Sequence, residues 1–139
     1  MKLSTPDSVI HQARSLVGLK VARVERKLAF SIDLYFVPVE EPGQEVILWI
    51  KEAGWRIEEN HRIVCGCYDK DAKKHAEALL AGTLVESVSA KRRDIKLSMS
   101  LGRTLWLLQR SSTLADWLVN CDGHWFHVGP GDACGYDEE

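Results

Sequence analysis

The sequence predicts an α+β fold made by internal duplication, in which a helix followed by four or five antiparallel strands occurs twice. Three observations predict it. Setting Gly18 on Gly82 brings Val21 onto Val85, Val24 onto Val88 and Lys27 onto Lys91, and a one-residue slip then lays Ile32, Leu34 and Phe36 on Ile95, Leu97 and Met99. Further on, Leu48-Trp49-Ile50 meets Leu105-Trp106-Leu107, Trp55-x-Ile57 meets Trp117-x-Val119, and His61 meets His124. Within each half the apolar spacing changes from helical to alternating, the mark of a helix followed by half-buried strands. The chain of 139 residues is the size of one domain. A single domain of two pseudo-repeats, about 5–67 and 69–129, with an acidic tail over 130–139, therefore fits better than an extended array.

The first helix has Thr5 to cap it, Pro6 at its first position, a stripe of Ile10, Ala13 and Val17, and Gly18 to stop it. The second has Asp69 or Asp71 as cap, a stripe of Ala72, His75, Ala76, Leu79 and Leu80, and Gly82 beyond its end. Ile32, Leu34 and Phe36 alternate with other residues, as do Ile95, Leu97 and Met99, so each triplet lines one face of a strand. Val46–Ile50 and Thr104–Leu108 are nearly continuous apolar runs, as expected of central strands covered on both faces. Trp55, Ile57, His61 and Ile63 share a face if Glu58-Glu59-Asn60 is a three-residue loop with Asn60 left-handed. Trp117, Val119, His124, Phe126 and Val128 share the equivalent face around the turn signal Asp122-Gly123. A twisted sheet and a pair of half-barrels both satisfy this pattern, and whether the two sheets fuse is left open.

Apolar residues make up 45% of the chain and charged residues 27%, an ordinary globular composition. A net charge of −2 argues against a generic nucleic-acid or membrane binder. No apolar run approaches the length of a membrane span, and Met1–Pro6 leads into an amphipathic stretch and not into a signal-type core. Four cysteines are too sparse for a disulfide scaffold, so reduced thiols and a cytoplasmic location are expected.

Three chemistries compete with packing. His61, Cys65 and Cys67, and Cys121, His124 and His127, offer metal-ligand types. In an extended strand, however, positions six apart lie ~20 Å from each other, whereas zinc ligands sit about 2.0–2.3 Å from the ion. No Gly-x-Ser-x-Gly elbow, reactive-cysteine signature or phosphate loop occurs, so neither an enzyme nor a cofactor is expected. Arg23, Arg26 and Lys27, with Lys91, Arg92, Arg93 and Lys96, put basic residues on the same hairpin of each half, and five tryptophans are available for stacking. The acidic balance and the expectation that the repeated tryptophans are core weigh against a nucleic-acid platform.

Where the halves differ, packing no longer explains the residues. Leu101-Gly102-Arg103 makes a tight connection in the second half, which expands to Pro38–Glu45 in the first. The tail Gly131–Glu139 has no counterpart. Both segments are acidic, and Glu40, Glu41, Glu45, Asp132, Tyr136, Asp137 and Glu138 are the candidate partner-binding residues, with Tyr136 as an interface anchor.

The pattern of Gly18, Val21, Val24, Ile32, Leu34, Phe36, Trp55 and Ile57 resembles small bacterial immunity proteins of the contact-dependent growth-inhibition type, or a related uncharacterised bacterial domain. The resemblance covers most of the chain but rests on packing positions, so no binding residue carries over from it. It implies a non-enzymatic module that occludes a cognate toxin, such as a basic nuclease domain, through complementary charge. A nucleic-acid-binding module and a small enzyme or metal protein with a His/Cys site are the alternatives.

Overall fold

The computed structural model describes residues 2–3, 13–26, 31–40, 45–51, 53–91, 94–108, 117–121, 124–128 and 134–138, with side chains at 13–26, 31–40, 45–51, 53–90 and 94–108. The first half contributes β1 (Lys2–Leu3), β2 (Lys20–Glu25), β3 (Ile32–Val37), β4 (Val46–Ile50), β5 (Gly54–Glu59) and β6 (Arg62–Gly66). The second contributes helix α1 (Ala72–Leu80), β7 (Val85–Lys91), β8 (Asp94–Met99), β9 (Arg103–Leu108), β10 (Trp117–Cys121), β11 (His124–Val128) and β12 (Cys134–Glu138). The fold is α+β and mostly antiparallel sheet. A larger sheet runs β1-β12-β11-β10-β4-β3-β2 and a smaller one β6-β5-β9-β8-β7.

The last hairpin of each half leaves its own sheet. Strands β5 and β6 join β9 of the second half, and β10 and β11 join β4 of the first. The registers match position for position. Trp55 stands opposite Leu107 and Ile57 opposite Leu105, while Trp117 stands opposite Ile50 and Val119 opposite Leu48. The ladder β2–β3 carries a bulge between Val21 and Arg23, and β7–β8 carries one between Val85 and Ser87. A bulge bends and twists its strand, so the two sheets bend at matching points.

Between them, the starts of β2 and β7 form a reciprocal seam. The Gly18 amide donates to the Val85 carbonyl and the Gly82 amide to the Val21 carbonyl, both at 2.8 Å. The Val21 amide reaches the Thr83 carbonyl at 2.9 Å and the Val85 amide the Leu19 carbonyl at 3.0 Å, with Lys20 bridging Leu84 between them. Gly18 and Gly82 end the preceding turns with φ of 88° and 84°.

One apolar core is shared by both sheets. It joins Val21, Leu34, Phe36, Leu48 and Ile50 to Trp55, Ile57, Val85, Leu97, Leu105 and Leu107, with Leu16 and, from α1, Ala72, Ala76 and Leu80. Trp55, a residue of the first half, thus packs within the sheet of the second.

Several expectations need correction. His75 is exposed, because α1 is covered along Ala72, Ala76 and Leu80, with Leu79 partly buried against the core. Neither aspartate caps that helix: Asp71 holds the N-cap position in a left-handed conformation without a side-chain bond, and Asp69 accepts from the Gly66 amide at 2.8 Å. Strands β4 and β9 are central but not doubly covered, since burial alternates along both. Trp49 and Trp106 therefore face away from the core, contrary to the expectation for repeated tryptophans. The β5–β6 loop is the two-residue turn Asn60-His61, both with positive φ, and the ladder slips so that Val64 has no opposite number. That slip leaves His61 exposed and Ile63 65% exposed, not aligned with Trp55 and Ile57. Thr5, Pro6 and Ile10 lie outside the described residues, while Ala13 is buried and Val17 is 44% exposed.

Candidate protein-binding surface

The acidic connection leaves β3 at Val37 and enters β4 at Val46. Val39 and Glu40 are exposed, and Glu40 makes no ion pair among the described residues. Glu45 is held: the Arg23 guanidinium bonds both its carboxylate oxygens, through Nη1 and, at 3.4 Å, Nη2. Arg23 also bonds Glu25 at 3.3 Å and lies 3.9 Å above the Tyr35 ring. The bond to Glu45, ahead of the Glu25 contact, raises the Arg23 pKa above its ordinary value. Glu45 and Glu25 thus offset the charge of Arg23, and the loop root carries no excess of positive charge. Glu41 lies outside the described residues.

The tail is not a frayed end. Strand β12 lies between β11 and β1, with Tyr136 opposite Phe126 on one side and Lys2 on the other. Glu138 stands opposite His124, which stands opposite Cys121, one residue beyond the Asn120–Ile47 row. The backbone of Glu138 therefore reaches the same end of the larger sheet as Glu45 and Val46. Three strand spacings separate it from β4, ~14 Å. The structure brings Glu40, Glu45, Asp137 and Glu138 to one end of one sheet; Asp132 lies outside the described residues.

The competing constellations are dispersed. Among the described residues, no three His, Cys, Asp or Glu side chains gather as metal ligands. His61 sits in an exposed turn, whereas Cys65 is buried with Sγ 3.7 Å from the Ala72 carbonyl. Desolvation, with the nearby charge of Asp69, pushes the Cys65 thiol up to about 11, which is unfavourable for a thiolate nucleophile or ligand. Cys67 borders a small recess of about 40 Å³ with Arg26, Ser31, Trp55, Asp69 and Lys73.

The basic hairpins do not adjoin, because β2 and β7 leave the seam antiparallel and their far ends diverge. Trp106 does lie between cations on the outer face of the smaller sheet, 5.4 Å from Arg56 and 5.7 Å from Lys96. Arg56 is already paired with Glu58 at 2.9 Å. Lys91 is described in its backbone, and Lys27, Arg92 and Arg93 lie outside the described residues. No helix among the described residues is long and apolar enough to cross a membrane.

The candidate residues of this surface are those at which the two halves of the sequence differ. The Arg23–Glu45 pair was not legible, since Arg23 lies on β2 and Glu45 just before β4, and no sequence pattern states the register that brings them together. No protein-family model, curated protein or solved structure matches the chain.

Proposed function

We propose that this chain is a non-enzymatic, cytoplasmic protein-binding module of the immunity type, built by duplication, which occludes a cognate toxin domain with its acidic end. The observation that carries the reading is the gathering of Glu40, Glu45 and the end of β12 at one end of the larger sheet. Duplication is supported by the matching registers, the paired bulges and the reciprocal seam. A duplicated scaffold spends its repeated residues on packing, which leaves its unrepeated segments free to differ for a purpose.

An acidic end suits a basic partner such as a nuclease domain, because complementary potentials speed encounter and fix orientation. The test is a pull-down from the native host, followed by association kinetics with the recovered partner. Glu40→Lys with Glu41→Lys slows association about tenfold or more at low salt, and the difference shrinks as salt rises. Glu45→Gln separates any contact of that residue with the partner from its hold on Arg23. Tight binding unaffected by these changes and by loss of β12 would remove the proposed site.

A second reading, a single-strand nucleic-acid platform, draws on Trp106 between Arg56 and Lys96. It requires salt-sensitive oligonucleotide binding that Trp106→Ala abolishes.

A further inference from the structure

Two free thiols, Cys65 and Cys67, lie side by side on the inner face of β6. Cys65 stands opposite Ile57, and the Cys67 amide donates to the Trp55 carbonyl at 3.1 Å, so the ladder continues just past the end of the strand. Residues two apart along a strand share a face. Trp55, Ile57 and Cys65 are buried on that face, and Cys67 packs against the same core. Two residues of extended chain span about 6.6 Å, inside the range of about 4.4–6.8 Å between Cα atoms that a disulfide bridges.

Packing does not call for sulfur at either position. In the other half the residues opposite Val119 and Trp117 are Phe126 and Val128. The two thiols differ in access. Cys65 is fully buried, and that burial holds its thiol protonated at neutral pH. Cys67 borders the recess shared with Arg26 and Lys73. Both thiols adjoin the first residue of α1: the Cys65 Sγ donates to the Ala72 carbonyl at 3.7 Å, and Ala72 lines the recess with Cys67. That end of the helix is weakly held. It has no side-chain cap, and its first turn sets Lys73, Lys74 and His75 against the helix dipole.

We propose that Cys65 and Cys67 are a redox-active pair that closes to a disulfide when a hydroperoxide reaches Cys67, and that closure loosens the start of α1. The inference is independent of the protein-binding reading. The Cys67 thiolate attacks the terminal oxygen of the hydroperoxide, the O–O bond breaks, and the alkoxide leaves and takes up a proton. Cys67 is then a sulfenic acid. The Cys65 sulfur next attacks the Cys67 sulfur, and its own proton goes to the departing hydroxide, which leaves as water. Two thiols give up two electrons, and one hydroperoxide becomes one alcohol and one water. A protonated thiol makes the second step the slow one, and the fixed adjacency of the two sulfurs carries it. Once bridged, Cys65 has no proton left to share with the Ala72 carbonyl.

The test treats the folded full chain with hydrogen peroxide, blocks the remaining thiols and maps the tryptic peptide Ile63–Lys70, which carries both cysteines. The expected product is this peptide lighter by two hydrogens, restored by a dithiol reductant. Hydrogen exchange at the amides of residues 73–76 rises about tenfold in the bridged protein and falls back on reduction. Cys65→Ser stops at a Cys67 sulfenic acid that dimedone captures, and Cys67→Ser leaves Cys65 unreacted. Oxygen added at Cys67 of the wild type without a bridge, or a bridge from Cys67 to Cys121 or Cys134, would overturn the pairing. A Cys65–Cys67 bridge with unchanged exchange in α1 would overturn its effect on the helix.

Discussion

At Gly102 a Cβ would lie 2.7 Å from Oδ1 of Asn60, and φ is 71°. Both terms oppose any side chain there, so Gly102→Ala costs about 1–3 kcal/mol of stability in denaturant unfolding. Asn60→Gly removes the steric part, and Gly102→Ala costs measurably less in that background. Equal costs in the two backgrounds would mean that the turns do not touch. Cys65 gives a pH signature. Its folded pKa, about 11, lies above the ordinary value of 9.0, so the folded state holds the proton longer than the unfolded chain. That stabilisation is complete below pH 9 and is lost as pH rises toward 11. Across this window the wild type loses ~2–3 kcal/mol relative to Cys65→Ala, and parallel pH curves would contradict the burial of the thiol. At this scale the sequence was informative about Gly102, whose neighbours spelled a tight connection, and silent about Leu101, since leucine carries no turn signal.

Strand by strand, most elements were legible because their apolar faces alternate: Ile32-x-Leu34-x-Phe36 and Ile95-x-Leu97-x-Met99 became β3 and β8. The exchange of hairpins was not legible. The face formed by Trp55 and Ile57 is satisfied equally by a neighbour from either half, and nothing in their spacing says which strand that neighbour belongs to. The slip at Val64 was hidden for a related reason: it moves Ile63 out of the core without changing the local alternation. The exchange makes a pairwise prediction. Trp55 and Leu107 are buried opposite each other across the two halves. Trp55→Ala costs about 3–5 kcal/mol, and the double mutant with Leu107→Ala departs from additivity by about 0.5–3 kcal/mol in denaturant unfolding. Strict additivity would place the two residues in separate packing units.

For the molecule as a whole, the exchange and the seam make each half depend on the other. Strand β4, paired with β3 on one edge, has its other edge open until β10 arrives, and β9, paired with β8, has its other edge open until β5 arrives. The shared core leaves neither half with a complete apolar face of its own. The acidic connection and the C-terminal end of β12 lie at one end of the larger sheet. Neither the length nor the composition of the chain said that its halves would interlock. The most direct test is to express residues 1–67 and 69–139 as separate chains and follow folding by near-ultraviolet circular dichroism and native mass spectrometry. Each fragment alone lacks cooperative unfolding, and an equimolar mixture forms a one-to-one complex with the spectrum of the intact protein. A fragment that unfolds cooperatively on its own would contradict the interlocked architecture.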